Sequence, residues 1–169
     1  MSRSSILETE ILTVSGVDDY NNWKTRKIVG IRTENMPDIW FFSVHYGWWN
    51  DRGEPFHGQW QKTAEFMKKH DKAWLMGDFN NPAQVQNEGY DLIKSDGWYD
   101  SYEFAKVKDG GITVKGKIDG WRDKGENAGD MRIDQIWCNY RTEILDSQVI
   151  FNGINRPVVS DHYGVMIEY

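Results

Sequence analysis

Trp74-Leu75-Met76-Gly77-Asp78-Phe79-Asn80-Asn81-Pro82 is the stretch on which the chain is organised. Ala73 to Met76 is a short apolar run of the kind that makes a buried strand, and Gly77 and Pro82 bracket a tight loop at its C-terminal end. The loop therefore holds Asp78 and Asn80 at the rim of a sheet. Alternation along an extended segment sends these two side chains to one side and Phe79 to the other, so a carboxylate and an amide face a common point with a phenyl ring packed behind them. Such a pair suits the activation of a water or the binding of a phosphate oxygen. It equally suits an Asx turn, because Asp and Asn are common turn formers.

Upstream, Ile39-Trp40-Phe41-Phe42-Ser43-Val44-His45 reads as a strand that is apolar on both faces and hence buried between layers, with Pro37-Asp38 turning the chain before it. Further strands are expected over Ile6–Val14 and Lys27–Thr33, separated by the polar loop Asp18-Asp19-Tyr20-Asn21-Asn22. From Pro55 to about His70, Phe56, Trp60, Ala64 and Met67 recur at helical spacing. Downstream, Glu88–Ser95 reads as a helix stopped by Gly97, and Tyr99–Ala105 as a second short helix. Lys106–Met131, rich in glycine and charge, reads mainly as a long surface loop. Arg132–Cys138, Ile144–Phe151 and Val165–Tyr169 complete the strands, with Arg132 and Asp134 on one face of the first of them. The alternation of strand and helix signals gives an α/β class in a single domain over residues 1–169.

Composition narrows the function classes. The 169 residues are 39% hydrophobic and 14% aromatic, which suits one soluble domain with a real core. No apolar run approaches the roughly 20 residues of a membrane span, and Met1-Ser2-Arg3-Ser4-Ser5 lacks a signal-peptide core, so a cytoplasmic location is the default expectation. Cys138 is the only cysteine, which excludes an intrachain disulfide and a cysteine-rich zinc site. The net charge of -6 disfavours a general nucleic-acid binder; the basic residues are scattered apart from short groups such as Lys24, Arg26 and Lys27.

Polar residues recur at strand ends or in adjoining loops: His45, Asp78 with Asn80, Arg132 with Asp134, and Asp161 with His162. In order and wording, Ser43-Val44-His45, Gly77-Asp78-Phe79-Asn80, Arg132-Ile133-Asp134 and Ser160-Asp161-His162 resemble the motifs of the endonuclease/exonuclease/phosphatase superfamily. Asp19-Tyr20-Asn21-Asn22-Trp23, His45-Tyr46-Gly47-Trp48-Trp49 and Ile150-Phe151-Asn152-Gly153 resemble a bacterial branch that includes maltose 6'-phosphate phosphatase. The resemblance implies a deoxyribonuclease-I-like four-layer α/β sandwich and a divalent-metal-dependent phosphoric ester hydrolase. Its substrate would be a small sugar phosphate, such as a phosphorylated disaccharide, with Mg2+ as cofactor and Mn2+ as the usual substitute.

Carried onto this chain, the resemblance implies that Asp78 orients or deprotonates the attacking water and that Asn80 binds a phosphate oxygen. It makes His45 and His162 stabilisers of phosphoryl charge, Asp134 the partner of His162, and Asp161, with Asp78 and Asn80, part of the metal site. Phosphate-ester hydrolysis needs such groups: a positioned water, donors around three oxygens, and a cation to offset charge. Trp48 and Trp49, next to His45, suit stacking on a sugar ring, with Arg132 as a further substrate-binding candidate; Trp98 and Trp121 are weaker candidates of the same kind.

The superfamily's N-terminal Asn motif and metal-binding Glu have no counterpart before His45, so the chain is expected to correspond to the C-terminal part of a two-sheet enzyme. Self-association, or pairing with a separate N-terminal half, is the accompanying expectation. The alternatives are a nuclease of the same superfamily, or a catalytically impaired fragment acting as a binding or assembly module.

Overall fold

A computed structural model describes residues 2–116 and 129–169. In chain order the elements are β1 (Ile6–Thr13), β2 (Lys27–Thr33), β3 (Met36–His45), α1 (Phe56–Met67), β4 (Ala73–Asp78), α2 (Gly89–Ser95), β5 (Tyr99–Asp100), α3 (Ser101–Phe104), β6 (Ala105–Lys108), β7 (Asp134–Cys138), β8 (Ile144–Ile150) and β9 (Gly164–Glu168). Among the described residues they form a six-stranded sheet in the order β1-β2-β3-β4-β7-β5 and a three-stranded sheet in the order β6-β8-β9. The class is α/β, as expected. β3 and β4 run parallel, joined by the α1 crossover, while β1–β2, β2–β3 and β4–β7 are antiparallel.

Period-2 alternation sorts the large sheet into two faces. Trp40, Phe42 and Val44 of β3, Leu75 of β4 and Trp137 of β7 join Phe56, Trp60 and Met67 of α1 and Ile93 of α2 in the main core. The opposite face sends Ile39, Phe41, Trp74, Met76, Ile136 and Cys138 against Ile144 and Ile167 of the small sheet. β3 is thus apolar on both faces but evenly buried on only one: Trp40, Phe42 and Val44 are buried, Phe41 is half-buried and Ser43 is exposed. The small sheet reaches β4 and β7 but does not extend over β1 and β2, where Ile11 and its partner Val29 remain 62% and 40% exposed.

Several local expectations need correcting. Pro37 and Asp38 lie inside β3, and the chain turns instead at Glu34-Asn35 between the paired residues Thr33 and Met36. Proline is tolerated there because pairing with β4 begins only at Trp40 and the β2 register shifts nearby, so no ladder bond is lost. Tyr99 and Asp100 pair with Cys138 and Trp137 as a strand; only Ser101–Phe104 is helical, with the Asp100 carboxylate accepting the Tyr102 N–H at its start. The glycine-rich stretch begins with a strand, β6, which pairs with β8, and Val114 bridges Met131. Residues 117–128 of that expected loop, with Trp121, lie outside the described residues.

Gly77 lets β4 end against β3. Its φ is +143°, and a Cβ there would sit 2.1 Å from the Val44 carbonyl oxygen, so a side chain meets backbone that cannot retreat without parting the two strands. Gly77→Ala is expected to destabilise the fold by about 2–5 kcal/mol, combining backbone strain with overpacking. Urea unfolding measures this; a variant within 0.5 kcal/mol of wild type, roughly the scatter of neutral surface changes, would contradict it.

Candidate active site

Strand register assembles the site. The parallel β3–β4 pairing sets His45 opposite Asp78, and the antiparallel β4–β7 pairing sets Asp78 opposite Asp134. Directly paired residues share a face, so these three side chains form one row at the rim. His45 Nε2 lies 3.4 Å from Asp78 Oδ2. The loop before β9 lays His162 over the end of the row, with Nδ1 2.9 Å from Asp134 Oδ2. Ligand atoms of Asp78, Asp134 and His162 all fall within 4.8 Å of one another.

Thr113 locks this arrangement, and the sequence pattern did not single it out. Its hydroxyl oxygen accepts the Ile133 and Asp134 N–H groups at 3.2 and 3.1 Å, while its carbonyl accepts the Tyr163 N–H at 2.7 Å. One buried residue thereby ties the start of β7 to the loop carrying His162. A threonine within a glycine-rich segment has no periodicity to reveal it.

Extended alternation stops at Asp78. Asn80 adopts φ +49°, and its N–H donates to Asp78 Oδ1 at 2.8 Å, which is the Asx turn. Its carboxamide is buried and donates through Nδ2 to the Tyr46 carbonyl at 2.8 Å, tying this loop to the one after β3. Phe79 packs behind in the main core, as expected. Asp161 stands beside His162 with an exposed carboxylate that accepts the Ser160 hydroxyl at 3.0 Å; it lies outside the convergent set of three.

The remaining candidates go elsewhere. Arg132 is 9% exposed and does not reach into the row: its Nη2 donates to Asp100 at 2.7 Å and to Tyr90 Oη at 3.1 Å, and its guanidinium lies over the Tyr102 and Tyr90 rings. Trp98 belongs to the main core, edge-on to Trp60. Trp49 is half-buried against Phe56 and His57 of α1. Trp48 is half-buried, and its carbonyl accepts the Asp51 and Phe56 N–H groups.

The row is electrostatically polarised. Burial, then the neighbouring Asp134 charge, pushes the Asp78 carboxyl up to about 7 despite the bond from the Asn80 N–H. Burial, followed by the charges of Arg26 and His162, pulls His45 down to about 4. Burial disfavours the charged form of His162 as well, but the Asp134 carboxylate and its hydrogen bond, with the charges of Asp78 and Asp161, outweigh it and raise the imidazole above 6.5. The site thus holds a carboxyl poised near neutrality, an imidazole biased towards its neutral form and one biased towards its charged form. Two repelling carboxylates with a third close by form an oxygen-rich donor set that fits a hard divalent cation.

Comparison with family models and with curated proteins gives no match. Solved structures do match. An endonuclease/exonuclease/phosphatase family protein from Leptotrichia buccalis is 31% identical with a TM-score of 0.84; the match covers 99% of this chain and 64% of that one. A mannosyl-6-phosphatase from Bacteroides thetaiotaomicron is 20% identical, TM-score 0.66, with 97% and 66% covered. A Neisseria 3' phosphatase bound to a product DNA hairpin is 14% identical, TM-score 0.66, with 99% and 72% covered. The chain spans just under two thirds of the Leptotrichia relative's length.

Two outcomes follow from this geometry. Arg132→Met is expected to cost about 3–5 kcal/mol in urea unfolding, because it strands the fully buried Asp100 carboxylate; a loss of under 1 kcal/mol, the range of an exposed pair, would make Arg132 dispensable to the fold. In metal-free protein followed by histidine NMR, His45 should titrate well below 6.5 and His162 above it. The two linkages have opposite signs. Stability tied to His45 is lost as pH falls from 6.5 towards about 4, since only the unfolded chain takes up that proton; stability tied to His162 is present below 6.5 and lost as pH rises through its raised pKa. Coincident titration of both near 6.5 would contradict the polarised row.

Proposed function

We propose that this chain, whose fold and motifs are those of the endonuclease/exonuclease/phosphatase superfamily, carries the catalytic row of a divalent-metal-dependent phosphoric ester hydrolase that removes phosphate from a sugar phosphate. The observation that carries the proposal is the convergence of Asp78, Asp134 and His162 beside His45 at one sheet rim. Asp78 acts as the general base: its Oδ1 is engaged by the Asn80 N–H, leaving Oδ2 to take the proton of an attacking water. A carboxyl held near 7 is a stronger base than an ordinary one yet is still substantially ionised at neutral pH.

Asp134 fixes His162 through Nδ1, so Nε2–H is left to donate to a phosphoryl oxygen, and the raised pKa favours the protonated ring that carries this donor. His45, at the other end of the row, offers a further donor to the same group. Asp134 and Asp161, both beside His162, with Asp78 through the oxygen it does not use as base, would hold Mg2+, or Mn2+ in its place. When bound, the cation supplies positive charge against the phosphoryl oxygens.

A small substrate suits the surroundings better than a polymer. An open hollow of about 320 Å³ that includes Tyr163, the chain neighbour of His162, is lined by Asp109, Lys115, Asp130 and Asn152 together with Ile112, Val149 and Ile154, a mixture of polar groups and apolar faces that suits a sugar. The net charge of -6 opposes a phosphate backbone.

With Mg2+ or Mn2+ supplied, the protein is expected to release inorganic phosphate from a hexose- and disaccharide-phosphate panel faster than it cleaves single-stranded or plasmid DNA. Asp78→Asn should lower turnover by about 10²–10⁴-fold while sparing substrate binding. DNA cleavage without phosphate release from any sugar phosphate would favour a nuclease. Near-normal turnover by the variant would remove Asp78 from the role of base.

A further inference from the structure

The loop joining β1 to β2 opens at the same rim as the catalytic row, because β1 runs towards that rim and β2 leaves it, with Thr13 paired to Lys27. β2 in turn lies antiparallel to β3, with Val29 opposite Ser43, which brings the start of β2 alongside His45. Arg26 is the last residue before β2. Its backbone is pinned on both sides: the N–H donates to Ser15 Oγ at 2.8 Å, and the carbonyl accepts the Val14 N–H at 2.9 Å.

Its side chain has no comparable anchor. Lys27 next to it is paired with Asp18 at 2.7 Å. The nearby carboxylates are otherwise committed: Asp51 Oδ1 accepts the Gly53 and Glu54 N–H groups, both Glu54 oxygens accept the Gly16 N–H, and Asp78 and Asp134 serve the row. Among the described residues, no carboxylate forms an ion pair with the Arg26 guanidinium. The residue is nonetheless half-buried, and its charge is felt by His45, Asp51 and Asp78 together.

A half-buried guanidinium with a fixed backbone and no carboxylate paired to it among the described residues is a fork open to planar or tetrahedral oxygens. We propose that Arg26 binds non-bridging oxygens of the substrate's phosphoryl group and so biases the site towards phosphomonoesters over phosphodiesters. A monoester dianion carries one more charge and one more free oxygen than a diester, so a further cationic donor at the rim gains more from the monoester. The charges of Arg26 and His162 both act on His45, and in the proposal the three side chains together supply donors to the phosphoryl group. This rests on the phosphate-ester hydrolase proposed above.

The experiment separates the two claims by pairing a binding readout with a turnover readout. Inorganic phosphate is titrated calorimetrically, with Mg2+ present, into wild type, Arg26→Gln, Arg26→Lys and Asp78→Asn, and each protein is assayed on p-nitrophenyl phosphate and bis-p-nitrophenyl phosphate. Arg26→Gln is expected to weaken phosphate binding by about tenfold or more, as for loss of one charged hydrogen bond, with partial rescue in Arg26→Lys. KM for the monoester should rise by a similar factor with a smaller rise for the diester, and the unfolding temperature should hold because the side chain has no ion pair to lose among the described residues.

Wild-type phosphate affinity in Arg26→Gln, equal losses on both esters, or no phosphate binding by wild type would each overturn the proposal. Arg26-dependent phosphate binding without hydrolysis of either ester would instead sink the hydrolase and leave the anion site standing. Turnover that Asp78→Asn abolishes and Arg26→Gln leaves untouched would do the reverse.

Discussion

The register across β3, β4 and β7 is the constraint on which the site depends. His45, Asp78 and Asp134 occupy one row because each is the direct pairing partner of the next. A slip of one residue in β4 would turn Asp78 towards α1 and bring Leu75 out of the core, exchanging a buried leucine for a buried charge. The register is held by the residues behind the row. Leu75 and Trp137 are locked among Phe56, Trp60 and Ile93 on one face, and Trp74 and Met76 face the small sheet on the other. Burial of large side chains on alternating faces is what fixes the spacing of two carboxylates at the rim.

A second polar system holds the loops that the row needs. Gln135 donates through Nε2 to the Asn81 and Arg132 carbonyls, and its Oε1 accepts the Trp137 indole N–H. Phe79 and Ala83 donate their N–H groups to the Ile133 and Arg132 carbonyls. The turn after Asp78 is thereby stitched to the segment leading into Asp134. Arg132, anchored by Asp100 and Tyr90, holds that segment from behind. Each of these groups is buried and satisfied, so the network keeps its geometry without drawing on the charges in the row.

Much of this was legible in the sequence where one residue type has one physical use. The apolar run ending in Gly77-Asp78 gave β4, helical spacing gave α1, and polar residues at successive strand ends pointed to one rim. What escaped was decided by partners distant in the chain. Arg132 shares a motif with Asp134, but Asp100 and Tyr90 bind it, and nothing near position 132 announces them. Trp49 and Trp98 suit stacking on sugars, yet Phe56 and Trp60 are their neighbours. Thr113 matters through three backbone groups, and backbone leaves no trace in composition. Arg26 was visible only as one of a short basic group; that Asp18 pairs with Lys27 and not with Arg26 is decided by the fold.

The uneven covering of the large sheet divides the site into a stiff part and a compliant one. β4 and β7 are packed on both faces, so Asp78 and Asp134 move only if the core moves. β1 and β2 are packed on one face, with Ile11 and Val29 open to solvent on the other, and a strand pair covered on one side opens locally at lower cost. Arg26 sits where these regimes meet, its backbone tied to the Val14-Ser15 turn and its charge felt by Asp78 in the row. Proton abstraction tolerates little error in the position of the base, whereas a guanidinium can follow an incoming anion through a longer and softer approach. Under the proposed assignment the packing suits each group: the carboxylates of the row stand on strands buried on both faces, and Arg26 stands at the start of a pair covered on one.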